Sequence, residues 1–132
     1  MLRKVLAQTQ SSAPTSVVLG GDHGVSLAHV AALLEINAEP EHTGIIMMDS
    51  HADLNLRSTS PTGNIHGMWM RPLVDRFDVP ELDLLVEHKI PAHHLFYIGH
   101  LDLDPAEQDF FAEHKIHTLS VEELRARPEE SL

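Results

Sequence analysis

The run Gly44-Ile45-Ile46-Met47-Met48 passes directly into Asp49-Ser50-His51-Ala52-Asp53, and no other stretch restricts the fold as strongly. An unbroken apolar run of this length predicts a buried strand of a parallel sheet. The Asp-x-His-x-Asp at its end places three side chains with metal-ligating atoms at alternate positions. Such a strand needs parallel neighbours and crossover helices, and the rest of the chain offers them.

Thr15 to Leu19 is β-branched and apolar, ends in Gly20-Gly21, and precedes Val25, Leu27, Ala28, Ala31, Ala32 and Leu33 at helical spacing. This predicts a strand, a glycine turn and a helix. A linker through Asn37 and Pro40 leads to the second strand, Gly44 to Met48. Ser58 to Gly63 has loop composition, and Met68 to Phe77 is predicted helical despite Pro72. His94 to Ile98 predicts a third strand, and a helix follows from Pro105 towards His114. Ile116 to Leu119 predicts a fourth strand, and Ser120 with Glu123 has the spacing of a capping box for a helix to about Arg127. Strands alternating with helices imply an α/β protein with right-handed parallel crossovers.

The 132 residues suffice for one domain, taken as residues 1–132, and 42% hydrophobic with 22% charged residues is a globular composition. A formal charge of −11 excludes the clustered basic surface that nucleic acid requires. No stretch approaches the ~20 apolar residues of a membrane span, and a cytoplasmic location is expected. The chain has no cysteine, which removes disulfides, thiolate metal sites and thiol nucleophiles.

In open parallel sheets, ligands gather outside the carboxyl ends of the strands. Gly20-Gly21-Asp22-His23, Asp49 to Asp53 and Gly99 to Asp104 are all expected there. Two carboxylates and two imidazoles without sulfur suit Mn(II), with Zn, Fe, Co and Ni also allowed by ligand type. A carboxylate-bridged metal pair generates hydroxide near neutral pH, so hydrolysis is the natural reaction class.

Gly20-Gly21-Asp22-His23, Asp49-Ser50-His51-Ala52-Asp53 and Gly63-Asn64-Ile65-His66-Gly67, in this order, resemble the signature segments of the arginase, or ureohydrolase, family. That family includes arginase, agmatinase and formiminoglutamase. The resemblance implies a three-layer α/β/α fold with a parallel sheet, here truncated, and a binuclear manganese centre that hydrolyses guanidino or formimino groups. It implies that His23, Asp49 and Asp53 hold one metal, and His51 with the shared Asp49 the other. Asp53 would also accept a hydrogen bond from the attacking hydroxide, and His66 would shuttle protons. Asn55, Thr62 and Asn64 match positions that bind the α-carboxylate of arginine. Asp104 and Glu107, within Tyr97 to Glu107, match those that hold its ammonium, which favours arginine over agmatine.

The chain also departs from the family pattern. Gly24 stands where serine is usual, Ser50 where alanine is common, and Leu101 where arginine is usual. The family's later Ser-Phe-Asp-x-Asp-x-x-Asp-Pro segment does not occur in the 132 residues, which implies an incomplete second metal site and a sheet edge left to be covered. Two functional expectations follow. One is a guanidino hydrolase acting on a small cationic substrate, L-arginine to L-ornithine and urea, with agmatine or formiminoglutamate as the alternative substrate. The other is a non-catalytic module that forms a homo-oligomer or binds a complementing chain. Asp102 and Asp104 equally suit a helix cap before Pro105. Trp69 and its neighbouring methionines are expected in the core, and His29, His42, His88, His93, His94, His100, His114 and His117 at surface or structural positions.

Overall fold

The computed structural model describes residues 15–37 and 39–126. Helix α1 (Gly24–Asn37) starts where the Asp22 carboxylate accepts the Gly24 N–H at 2.8 Å, satisfying one of the donors that a helix start leaves unpaired. Leu27, Ala31 and Leu34 recur every three or four residues and are buried, so this face enters the core. A 3₁₀ turn at Pro40–His42 leads into β1 (Ile45–Met48).

The connection from β1 to β2 (Leu95–Ile98) carries the short helices α2 (Arg71–Val74) and α3 (Pro80–Asp83), with 3₁₀ turns at Ile65–Gly67 and Ala92–His94. Helix α4 (Pro105–His114) then crosses to β3 (His117–Leu119), and α5 (Val121–Ala126) follows. The three strands form a parallel sheet in the order β1-β2-β3. Ile45 stands opposite Leu95, Met47 opposite Tyr97, and Ile98 opposite Leu119. Met47, Leu95 and Tyr97 point from one face of the sheet into a single core with Leu27, Leu54, Leu73, Ile90, Phe110 and Ile116. Among the described residues, no helix is long and apolar enough to cross a membrane.

The parallel α/β architecture and the positions of β1, β2, β3, α1, α4 and α5 agree with the sequence reading, with ends shifted by a residue or two. The capping box of α5 is present: Ser120 N–H donates to the Glu123 carboxylate at 2.8 Å, and Glu123 N–H to Ser120 Oγ at 3.2 Å. Its expected end at Arg127 lies outside the described residues.

Three expectations are corrected. Thr15 to Leu19 forms no strand; Val17 and Leu19 are exposed, and a strand exists only where another chain segment pairs with its backbone. The strand β1 is buried on one face only, with Ile46 69% and Met48 77% exposed, because among the described residues only the face carrying Met47 joins the core. The helix expected over Met68 to Phe77 is reduced to Arg71–Val74. Pro72 is tolerated only in a first turn, and the preceding Met70 N–H is drawn to the Asp53 carbonyl at 3.1 Å.

Candidate metal centre

The segment that follows β1 turns across the carboxyl edge of the sheet and is held at successive residues. Tyr97 donates its hydroxyl to the Ala52 carbonyl at 2.8 Å. Met70 N–H takes the Asp53 carbonyl, and the Trp69 indole N–H takes Asp53 Oδ2 at 2.8 Å. Leu54 N–H donates to Glu107 Oε1 at 2.9 Å. These bonds over-determine the backbone of Asp53, a non-glycine residue at φ 54° whose left-handed conformation costs energy and persists only where its surroundings enforce it. Asp53 is 6% exposed.

Asp53 Oδ2 also pairs with His23 Nδ1 at 2.7 Å, and the same nitrogen stands 3.6 Å from Asp49 Oδ2. The other oxygen of Asp49 lies 3.3 Å from His51 Nδ1 and accepts the His51 N–H at 2.9 Å. The Asp49 carboxylate therefore sits between two imidazoles. Partial burial opposes its charge, but the His51 N–H and the charges of His23 and His51 outweigh that and hold its pKa below the ordinary value.

Among the described residues no preformed cage of three or more His, Asp or Glu donors stands ready for a cation; His23 and Asp53 are spaced as hydrogen-bond partners, and Asp49 lies 3.6 Å from the same imidazole nitrogen. Their chemistry nevertheless fits one divalent cation. Two carboxylates and an imidazole are suitable ligands, and separations of 2.7 and 3.6 Å bracket the ~3 Å between neighbouring donors around an octahedral cation bound at ~2.1 Å. A second cation would find His51 and the shared Asp49, a sparser set.

Two cavities meet at this cluster. One, of about 240 Å³, is lined by Asp22, His23, Asp49, His51, Asp53 and His66. The other, of about 320 Å³, is lined by His51, Asp53 and His66 together with Asn55, Thr62, Asp102, Asp104 and Glu107. His51, Asp53 and His66 thus form the shared wall.

The floor of the larger cavity is built by contacts distant in sequence. Asn55 donates its amide to Asp104 Oδ2 at 2.7 Å. Glu107, buried at the third position of α4, accepts the Asp104 N–H at 3.0 Å as half of a capping box, while its other oxygen takes the Leu54 N–H. Burial pushes the Glu107 carboxyl above its ordinary range, and the charges of Asp104 and Asp53 add to the effect, against the two N–H bonds. Burial likewise raises the Tyr97 hydroxyl well above its ordinary pKa, aided by Asp53 and Glu107, so it remains a donor. Asp104 is therefore both a helix cap and a cavity residue.

The loop 57–63 walls the opposite side. Asp78 accepts the N–H groups of Arg57 and Ser58 at 2.7 and 2.8 Å, and the Arg57 guanidinium binds the Gly63 carbonyl. Gly63 has φ +68°, and a Cβ there would lie 2.8 Å from the guanidinium, so a substitution there would be strained and would displace the end of the Arg57 side chain.

The structure thus brings together His23, Asp49, His51, Asp53 and His66, and gathers Asn55, Thr62, Asp104 and Glu107 around the adjoining cavity. Asn64 is exposed at the loop's end, and its N–H donates to Thr62 Oγ1 at 3.2 Å; it does not line the cavity. Sequence reasoning missed Tyr97 and Trp69 as parts of the site. The available signal was that a buried tryptophan must pair its indole N–H. Of the other histidines, His94 bonds the Thr43 carbonyl, His29 meets Ser16 Oγ, and His100 Nδ1 is buried without a hydrogen-bond partner.

A parallel sheet with a carboxylate–imidazole cluster and an acidic cavity at its carboxyl edge defines the class: an α/β protein built around a candidate divalent-metal site. The model of the arginase family matches residues 1–131. The arginase of Staphylococcus aureus strain MRSA252 is 37% identical over 108 residues, covering 82% of this chain and 34% of its own length. That of Emericella nidulans is 33% identical over 115 residues, covering 83% and 36%. Among solved structures, Entamoeba histolytica arginase in complex with L-ornithine superposes with a TM-score of 0.83 at 26% identity, over 95% of this chain and 42% of that one. The Bacillus caldovelox arginase gives 0.81 at 30% identity, over 95% and 41%. The chain belongs to the arginase family, and spans about a third of the length of the curated relatives it matches.

Proposed function

We propose that this chain carries the greater part of a manganese site and substrate cavity for hydrolysis of a guanidino compound, with L-arginine giving L-ornithine and urea. The observation that carries the reading is the convergence of Asp53 and Asp49 on His23, at 2.7 and 3.6 Å, in a cavity that shares Asp53 with a larger acidic one. His23, Asp49 and Asp53 would hold one Mn(II), and His51 with Asp49 a second. When bound, the metal supplies Lewis acidity and lowers the pKa of water.

The chain's own residues do the rest. Asp53, Asp102, Asp104 and Glu107 give the cavity a negative lining that attracts a guanidinium and an ammonium group. Asn55 and Thr62 offer amide and hydroxyl groups to a carboxylate, with Asn64 at the edge. Water adds to the guanidinium carbon, the bond from that carbon to the side-chain nitrogen breaks, and urea and ornithine result. His66, on the wall shared by both cavities, holds a proton on its ring and passes it to the departing amine, a role suited to an imidazole near neutral pH.

A second reading draws on the exposed Ile46, Met48 and Phe96 of the sheet: the chain is a module covered by a second copy or a complementing chain. One experiment tests both. Urea release from L-arginine with added Mn(II) is measured for this chain alone and for the chain joined to a Ser-Phe-Asp-x-Asp-bearing continuation. The hydrolase reading expects release from the joined form, lowered about 10²- to 10⁴-fold by His66→Ala. No release from either form, together with a stable complex formed by this chain, would leave the module reading.

A further inference from the structure

Asp53 is the residue on which the candidate site turns, because its carboxylate borders both cavities and pairs with His23. Its backbone direction is set by the left-handed φ and by the Met70 N–H on its carbonyl. That leaves the rotation of the carboxylate about its last torsion, which is broad and roughly two-fold when nothing holds it. Besides His23, the group that holds it is the buried Trp69, whose N–H reaches Oδ2 at 2.8 Å. The indole and the His23 ring also form a T-shaped pair, with centroids 5.8 Å apart and planes at 69°. An indole has one donor and no acceptor. Here the donor goes to an ionisable carboxylate, the stronger, charge-assisted kind of bond.

We propose that Trp69 is a positioning residue: its indole N–H fixes the carboxylate of Asp53, and its ring packs against His23, so that both are oriented together toward the smaller cavity, which both line. As a role in metal binding this rests on the reading of the cluster as a cation site. Partners that orient metal ligands from behind are worth about 10- to 100-fold in metal affinity. Trp69 acts through Asp53 and His23.

The test exploits the fact that Trp69 is the only tryptophan, which makes its indole resonance unambiguous. In proton–nitrogen spectra of the metal-free chain, this signal should lie downfield and exchange slowly. It should move upfield and exchange faster in Asp53→Asn, a substitution that keeps a side chain tolerant of the left-handed backbone. An indole signal unmoved by Asp53→Asn overturns the proposal.

Calorimetric titration with Mn(II) follows for the wild type, for Trp69→Phe, and for the chain carrying benzothienylalanine at position 69, where sulfur replaces the N–H and shape is kept. At least a tenfold loss of affinity in the sulfur isostere, with a thermal midpoint close to wild type, supports the proposal even if Trp69→Phe fails to fold. Unchanged affinity in the isostere overturns it. A wild type that takes up no Mn(II) overturns the cation reading and this role with it, an outcome distinct from equal binding by both chains.

Discussion

Residues 52–55 and the histidines around them are opposite kinds of structure at one site. Ala52, Asp53, Leu54 and Asn55 are buried, and their polar groups are taken by Tyr97, Met70, Trp69, Glu107 and Asp104. The side chains of His23 and His51 are 43% and 62% exposed, and His66 is exposed as well. Among the described residues the fold thus builds a rigid shelf that carries Asp53 and leaves the imidazole rim open to solvent. Changes to the groups that support the shelf should act on folding, and changes to the rim on chemistry.

The largest effect that would break this division is expected at Glu107. Replacement by Ala strands the N–H groups of Leu54 and Asp104, each costing ~1–3 kcal/mol when buried and unpaired, so Glu107→Ala should lose about 3 kcal/mol in urea denaturation. Little or no loss would mean that the shelf is not held from α4. Tyr97→Phe comes next. It removes the donor to a buried carbonyl, and a loss of about 1–2 kcal/mol is expected, with no change in the slope against denaturant.

A smaller effect separates the loop wall from the shelf. Slight burial raises the Asp78 carboxyl, but hydrogen bonds from Ser58 and Arg57 outweigh this and hold its pKa below the ordinary value. A group depressed by folding adds stability that is complete above its unfolded pKa of ~3.9 and is lost as pH falls through the lower folded value. Asp78→Asn should therefore flatten the acid limb of a stability–pH curve below about pH 4. Glu107 has the reverse sign: its raised pKa contributes below the ordinary carboxylate range and loses that contribution as pH rises. Smallest of all, His51→Ala should change folding stability by less than about 0.5 kcal/mol, as exposed substitutions usually do, in thermal or urea melts of the metal-free chain. A loss above 1 kcal/mol would show that the rim is part of the scaffold.

The strands β1, β2 and β3 and the helices α1, α4 and α5 were readable because their patterns are local: apolar runs, a 3–4 spacing, Pro105 after Asp104, Ser120 before Glu123. Thr15 to Leu19 has the same local pattern and forms no strand, since pairing depends on a neighbour and not on the segment itself. The helix at Met68 to Phe77 failed because Trp69 and Met70 are recruited by Asp53, 16 and 17 residues earlier. For the site, ordered motifs brought His23, Asp49, His51, Asp53 and His66 to one edge. The supports of the shelf were hidden for a physical reason: Tyr97 meets Ala52 and Glu107 meets Leu54 across 45 and 53 residues, separations that no short motif spans.

The alternation along β1 has one further consequence. Met47 is buried, and Met48 beside it is exposed, while Met68 and Met70 are enclosed. Thioether oxidation follows solvent access, so mild peroxide should convert Met48 to its sulfoxide well ahead of those three. Whatever comes to lie over that side of the sheet would shield it, and the extent of sulfoxide at this one residue becomes a chemical record of whether the strand has found its cover.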